Sequence, residues 1–403
     1  MTPESPDIKI PLETPSRAPS AIPVDDAVLP FEVATLDLRG RLTRLGPALD
    51  DILTKHDYPA PVGKLLGEAI VLTTLLGSSL KFDGRFILQT QTDGPVSFMI
   101  VDFQAPDRLR AYARFDAKRL ESGQDSGALL GKGHLAMTVD QGPDMSRYQG
   151  LVALEGGGLE DAAHEYFLRS EQIPTRVRLA VGEEWRGGEG PKRHWRAGGM
   201  LLQFLPKAPE RARQPDLHPG DAPEGVVTET MAEDDAWVEG QSLISTVEDV
   251  ELIDPDLSGE RLLYRLFHER GVRVFPPLPL RAQCSCSRDA VSGMLASFAA
   301  QDRADMVKDG KVVVTCEFCS SVYEFTPAEA GVELGRLPSL REAQRRSNPL
   351  SQHGLLRSIR AIGCFWISPN STPACDRGYP AKRSARRSRI FRRSRSPSGS
   401  GRS

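Results

Sequence analysis

The stretch RFILQTQTDGPVSFMIVDFQAPDRLRAYAR, residues 85–114, decides the fold. Apolar and polar residues alternate within it, Phe86 and Leu88 against Arg85 and Gln89. Successive side chains of an extended chain point to opposite faces, so a period of two marks half-buried strands. Asp93-Gly94-Pro95 and Ala105-Pro106-Asp107 interrupt the alternation with turn-forming residues. Antiparallel strands are expected at 85–91, 96–102 and 108–114, and residues 134–140 and 148–154 extend the pattern.

Around this sheet the period changes. Residues 39–57 suit a helix, and Pro61 opens a second run over 62–80. There Leu65, Leu66, Ala69, Ile70, Leu72, Thr73 and Leu76 cover so much of a helix that burial is expected. A helix over 159–170, a strand near 175–181, a loop over 187–191 and apolar structure over 198–204 follow. Strands and helices in segregated runs imply an α+β class, with a large antiparallel-sheet domain over 30–206. The leader 1–29, with Pro3, Pro6, Pro11, Pro15, Pro19 and Pro23, reads as disordered.

Residues 207–273 read as a connector and a metastable helical linker. From 229 to 256 there are ten acidic residues and no Lys or Arg, while Trp237, Leu243, Ile244 and Val247 recur at helical spacing. Close carboxylates repel, so such a helix is marginal alone and needs a docking surface; the plainer reading is an acidic, solvated face. A second helix over 260–269 is expected, capped by Ser258 and ended by Gly271.

Residues 274–336 carry Cys284-Ser-Cys286 and Cys316-Glu-Phe-Cys319, with 29 residues between the pairs. Four thiolates at this spacing can close a tetrahedral zinc site, with Zn–S near 2.3 Å and no position left for substrate. The site is therefore structural or redox-active rather than hydrolytic. The same sulfurs can form disulfides and release the metal. A permanently reduced structural zinc site is the plain alternative, and nothing in the flanks favours an iron–sulfur cluster. Ser287 can cap a helix with Val291, Met294, Leu295 and Phe298 on its apolar face, and strands over 311–314 and 322–325 flank the second cysteine pair. So small a core leaves the metal to supply folding energy on the order of 10 kcal/mol.

A chain of 403 residues suggests two or three domains. Six cysteines are too few and too clustered for a secreted disulfide scaffold. With no N-terminal apolar segment and no evident apolar run of about 18 residues, a cytoplasmic protein without a membrane partner is expected. The net charge of −3 hides an asymmetry: residues 377–403 carry ten Lys or Arg and no acid, so residues 1–376 carry −3 − 10 = −13. An acidic body argues against a nucleic-acid surface. The tail 337–403, with Arg386-Arg-Ser-Arg389 and Arg392-Arg-Ser-Arg395, reads as a disordered basic tract. It is the one segment suited to RNA or another polyanion, though unselected sequence, as from a shifted reading frame, is the plainer reading. Cys364 and Cys375 read as incidental thiols.

No Ser/His/Asp grouping, phosphate loop or paired-carboxylate motif stands out, so an enzyme is not expected. Gly156-Gly157-Gly158 lacks phosphate-loop spacing and reads as a turn from strand to helix. His134 and His164 read as packed or surface residues, and Arg169 and Glu171 as structural partners. An oxidoreductase working through Cys316 and Cys319 would need a thioredoxin-like βαβ setting that is missing around them.

Five segments share a further likeness. Gly131-Lys-Gly-His-Leu135, Tyr148-Gln-Gly-Leu-Val-Ala-Leu-Glu155, Tyr166-Phe-Leu-Arg-Ser-Glu-Gln-Ile-Pro-Thr175 and Ala197-Gly-Gly-Met-Leu-Leu202, in order, and after them the cysteine pairs resemble the redox-regulated 33-kDa bacterial heat-shock chaperonin family of holdases. The likeness spans roughly residues 30–336 and leaves the tail outside. It implies an ATP-independent chaperone that is inactive while one zinc per chain sits on Cys284, Cys286, Cys316 and Cys319. By the same resemblance, peroxide with mild unfolding, or hypochlorous acid, would pair Cys284 with Cys286 and Cys316 with Cys319 and release zinc. Module and linker would then unfold and capture unfolding client proteins. The resemblance also implies a homodimer when oxidised and transfer of clients to ATP-dependent refolding chaperones. The competing reading is a zinc-knuckle nucleic-acid-binding protein, opposed by the acidic body and by the lack of interleaved basic and aromatic residues around the cysteines.

Overall fold

A computed structural model describes residues 25–79, 84–141, 147–186, 192–207, 233–332 and 365–367. Residues 1–24 of the expected leader, the loop 187–191, most of the connector, and all of the tail except 365–367, with Cys364 and Cys375, lie outside these residues.

The chain begins with β1 (Ala27–Val33) and β2 (Leu38–Leu45), which pair along their whole length from Ala27↔Arg44 to Val33↔Leu38. The first strand thus starts three residues before Pro30, with Ala27, Val28 and Leu29 already buried in the sheet. The helix expected over 39–57 is corrected. Residues 38–45 are a central strand, and only α1 (Pro47–Leu53) is helical. Leu38, Leu42 and Leu45 fit either period, and strand pairing on both sides of β2 settles it. Next comes α2 (Ala60–Gly77), buried along nearly all its length as expected.

The alternating stretch folds as β3 (Arg85–Thr92), β4 (Val96–Gln104) and β5 (Arg108–Phe115). After α3 (Ser126–Leu130), β6 (Lys132–Asp140) and β7 (Tyr148–Glu155) complete the antiparallel run. The glycine run then leads into α4 (Leu159–Tyr166), continued by a wider π turn over Phe167–Glu171. Here Arg169 pairs with Glu165 at 3.3 Å, and Glu171 accepts from the Tyr166 hydroxyl at 2.6 Å. His164 Nε2 accepts the Val177 N–H at 2.9 Å, a packing role, while His134 is exposed. The long hairpin β8 (Thr175–Arg186) and β9 (Lys192–Phe204) follows.

Downstream lie α5 (Asp235–Ser245), α6 (Asp249–Ile253) and α7 (Gly259–Phe267), the last capped by Ser258 Oγ accepting from Arg261 N–H at 3.3 Å. Three short strands, β10 (Arg273–Val274), β11 (Leu278–Pro279) and β12 (Arg281–Ala282), return to the sheets. The first sheet has the order β10-β1-β2-β9-β8, with β11 beside β1; the second runs β12-β5-β4-β3-β6-β7. Helix α2 packs against both. One core, built on Leu65, Leu66, Ile70, Leu88, Met99 and Val101, lies around α2. Another lies on the opposite face of the first sheet, where Phe31, Leu42, Met200 and Phe204 meet Trp237, Ile244, Leu252 and Phe267. The acidic segment is therefore a docked cover. Helix α2 is also long and apolar enough to cross a membrane, contrary to the sequence expectation, yet 78% of that window is buried inside the protein.

Two compact units are distinguished, Met1–Val291 with Thr315–Tyr323, and Ser292–Val314 with Glu324–Ser403. The chain continues through α8 (Arg288–Ala296), α9 (Ala300–Asp305), β13 (Val312–Cys316) and β14 (Val322–Phe325). With β15 (Phe365–Ile367), the last strands form a sheet of order β14-β13-β15. In the smaller unit Val312, Val314, Phe325 and Val332 are buried, and Lys311 pairs with Glu324 at 2.7 Å.

Candidate metal centre

The backbone places the first cysteine pair. β12 pairs parallel to β5, with Arg281↔Arg108 and Ala282↔Leu109, and Gln283 N–H donates to Leu109 O at 2.9 Å. Cys284 thus leaves the edge of the second sheet in a set direction. Ser287 then starts α8, its Oγ accepting from Ala290 N–H at 3.1 Å, as expected of a cap. The second pair closes a tight turn after β13. Cys316 N–H donates to Ser321 O at 2.9 Å, Ser320 N–H donates to Cys316 O at 2.8 Å, and Ser320 takes a left-handed φ of 57°.

The four sulfurs of Cys284, Cys286, Cys316 and Cys319 all lie within 4.8 Å of one another. They are free thiols, with Cys316 buried and the others half-buried. The Cys284 and Cys316 sulfurs are 3.7 Å apart, and those of Cys286 and Cys319 are 3.3 Å apart. These close contacts run between the two motifs rather than within them. Four sulfurs about 2.3 Å from a central zinc would stand about 3.8 Å from each other, so the cluster fits a tetrahedral thiolate site.

The electrostatics agree with that use. A hydrogen bond from Cys316 holds the Cys284 thiol well below the ordinary thiol range, and the same shared proton, with burial, pushes Cys316 up. Burial raises Cys286. Packed sulfurs that cannot all ionise together suit a cation that would neutralise them. The Tyr323 hydroxyl donates to Cys286 Sγ at 3.2 Å, and Cys319 Sγ donates to Ser321 Oγ at 3.2 Å.

Around the sulfurs lies a shell that sequence spacing does not reveal. Phe318, between the two turn cysteines, is 3% exposed, with the Arg110 guanidinium 4.2 Å from its ring centroid. His56, just past α1, lies 3.2 Å from the Phe318 carbonyl through Nε2 and packs against Tyr58 and Tyr112. Ser320 Oγ donates to Lys55 O at 2.9 Å. Glu317 is buried, and burial pushes its carboxyl up to about 7. An apolar residue between two cysteines was the only available signal, and it does not name a partner far along the chain.

The sequence profile described as Hsp33 protein matches residues 26–326. The chain belongs to the Hsp33 family. A 33 kDa chaperonin of Caulobacter vibrioides (strain NA1000 / CB15N) is 46% identical over 320 residues, covering 78% of this chain and 99% of the relative. Another, of Azotobacter vinelandii (strain DJ / ATCC BAA-1303), is 37% identical over 291 residues, covering 72% and 88%. The crystal structure of the Hsp33 homologue of Thermotoga maritima matches with a TM-score of 0.59 over 76% of this chain and 97% of that one. At 19% identity that match speaks for the fold alone. Membership in Hsp33 makes this a heat-shock chaperone, and unfolded proteins its clients.

Proposed function

We propose that this Hsp33 protein is a redox-regulated, ATP-independent holdase of the cytoplasm, inactive when reduced and switched on by disulfide formation. The observation that carries this reading is the cluster of four sulfurs within 4.8 Å, drawn from two segments with 29 residues between them. Cys284, Cys286, Cys316 and Cys319 would hold one zinc per chain, which supplies charge neutralisation and the cross-link that closes residues 274–336.

The chain's own residues supply the rest. Oxidation would join Cys284 to Cys286 and Cys316 to Cys319. Each thiolate pair gives two electrons to one peroxide, which takes up two protons and leaves as two waters. Disulfide formation strips the site of its donors. The present contacts, Cys284 to Cys316 and Cys286 to Cys319, must part for those pairs to form, so oxidation has to reshape the turn. Loss of the 274–336 module would then loosen the linker within 207–273. Its helices α5–α7 cover Phe31, Leu42, Met200 and Phe204, an apolar sheet face suited to unfolding clients once bared. Dimerisation of the oxidised form and delivery of clients to ATP-dependent chaperones belong to the same reading.

The test is zinc content and thiol count before and after hydrogen peroxide with gentle heating, beside an aggregation assay on a thermally unfolding client. About one zinc per chain should be lost as suppression appears, and a thiol reductant should reverse the suppression. Equal suppression in both redox states would reject the switch.

A further inference from the structure

The short loop between α1 and α2 belongs to neither sheet, yet it meets the turn that carries Cys316 and Cys319. Its shape is set locally. Thr54 Oγ1 donates to Asp50 O at 2.6 Å and finishes α1, and Asp57 takes a left-handed φ of 48°, which Asp tolerates better than most residues. Tyr58 follows, its hydroxyl accepting the Ala113 N–H of β5 at 2.9 Å, so the loop is tied to that strand.

The loop offers the turn a backbone carbonyl and an imidazole. Lys55 O accepts from Ser320 Oγ at 2.9 Å. His56 Nε2 stands 3.2 Å from Phe318 O; a carbonyl only accepts, so Nε2 carries the proton and donates. His56 Nδ1 lies 3.3 Å from Ser320 Oγ. The imidazole is held in place by Tyr58 and Tyr112, with ring centroids 5.2 and 5.6 Å away. Two residues before Tyr112 on β5, Arg110 reaches the Phe318 ring, its guanidinium carbon 4.2 Å from the centroid. That guanidinium is fixed in turn by Nε and Nη2 donating to Asp102 Oδ2 at 2.8 and 2.6 Å. Phe318 is therefore gripped twice, by its carbonyl and by its ring.

Seating the turn also has a cost. Cys316, Glu317 and Phe318 are all buried, and Glu317 Oε1 has no hydrogen-bond partner among the described residues. A buried polar atom without a partner opposes docking. The turn stays seated only while its other contacts outweigh that cost, so a few side chains decide whether Cys316 is shielded. We infer that residues 54–58 and the Arg110–Tyr112 stretch of β5 form a seat that clasps the cysteine turn from outside, with His56 as its positioning residue, and that unseating is the step that lets an oxidant reach Cys316. The hydrogen bonds that Lys55 and His56 make to the turn use no cysteine side chain, so the clasp acts whether or not metal is bound. That it guards a switch rests on the redox reading above.

The experiment uses the full reduced chain, with zinc counted in every sample. Hydrogen exchange is followed by mass spectrometry, and thiols are counted over time in hydrogen peroxide. His56→Phe keeps an aromatic ring and removes the donor, whereas His56→Gln restores an N–H donor. In His56→Phe, exchange over 315–321 should run about 10-fold faster, the effect of one lost buried hydrogen bond, and thiol loss several-fold faster. His56→Gln should lie closer to wild type, and exchange over 85–115 should not move. Wild-type exchange and thiol loss in His56→Phe overturn the clasp. So does acceleration of both regions alike without rescue by Gln, which would make His56 a residue of general packing. Should His56→Phe not fold, Ser320→Ala removes the bond to Lys55 O and should accelerate the same two readouts by a smaller factor; no acceleration there overturns the clasp as well. A chain that binds no zinc sinks the metal reading, while exchange over 315–321 still decides the clasp. A wild-type chain with about one zinc, matched by its variants in both readouts, sinks the clasp alone.

Discussion

The two faces of the first sheet are closed by helices of opposite kind. On one face α2 is a single 18-residue helix, apolar on nearly every side and packed between two sheets. On the other face the cover is α5, α6 and α7, short helices in an acidic segment. Both covers reach full burial at their contacts: Leu66 and Ile70 on one side, Leu252 and Phe267 on the other, are 0% exposed. Adjacent glycines serve the two. A side-chain carbon on Gly198 would run into the Leu252 carbonyl, and one on Gly199 would run into Val71 of α2. The difference lies in what else holds each cover. Helix α2 has apolar partners all round, whereas the acidic helices have one apolar stripe and are pinned by the sheet's arginines. Arg196 donates to Ile253 O at 2.8 Å, and Arg44 donates to the carbonyls of Asp254 and Leu257. Equal burial therefore does not mean equal permanence.

The comparison breaks first at the sulfur site. Stripping metal from the reduced chain with a chelator should remove on the order of 10 kcal/mol from residues 274–336. Limited proteolysis should then cut between about 229 and 330 while the first sheet's core stays resistant, and Cys284→Ser should act in the same direction. An unchanged cleavage pattern would mean that no metal holds this region.

Cavity-forming substitutions sharpen the contrast between the covers. Leu66→Ala on α2 should cost about 4 kcal/mol and lower the main melting transition. Leu252→Ala on α6 should cost about 3 kcal/mol, seen as faster hydrogen exchange over 235–267 with the main transition little moved. Equal shifts of the main transition would make the two covers one cooperative unit.

A smaller effect is expected at the pin. Arg196→Met leaves the Ile253 carbonyl and the Asp25 carboxylate without their donor and should loosen the acidic helices by about 2 kcal/mol, read by the same exchange experiment. Smallest is a pH effect on the α2 side. Burial pushes Glu68 from 4.5 up to about 7, against a hydrogen bond from Ser126 that favours its charged form. Between those pH values the folded state binds the proton more tightly than the unfolded chain, so stability falls as pH rises from about 4.5 to 7. Glu68→Gln should flatten that slope; an unaltered slope would place the titration elsewhere.

Much of this was legible in the residues. The period-two run at 85–114 became three adjacent strands, and the apolar run after Pro61 became α2. Both signals are local, because alternation and an all-round apolar helix are set by backbone geometry. Residues 38–45 misled for the converse reason, since Leu38, Leu42 and Leu45 suit a helix as well as a strand and only pairing with β1 and β9 decides between them. The acidic helices announced their need of a partner without naming it.

By itself, the order of residues determined the strand pattern, the buried helix and the meeting of two cysteine pairs, because each depends on neighbours a few positions apart or on a donor set that serves little else. Which sheet face receives the acidic helices, and that Arg110 comes to lie over Phe318, were decided only in the folded chain. Such contacts join residues with no fixed spacing, and their energy exists only once the sheets have brought them together.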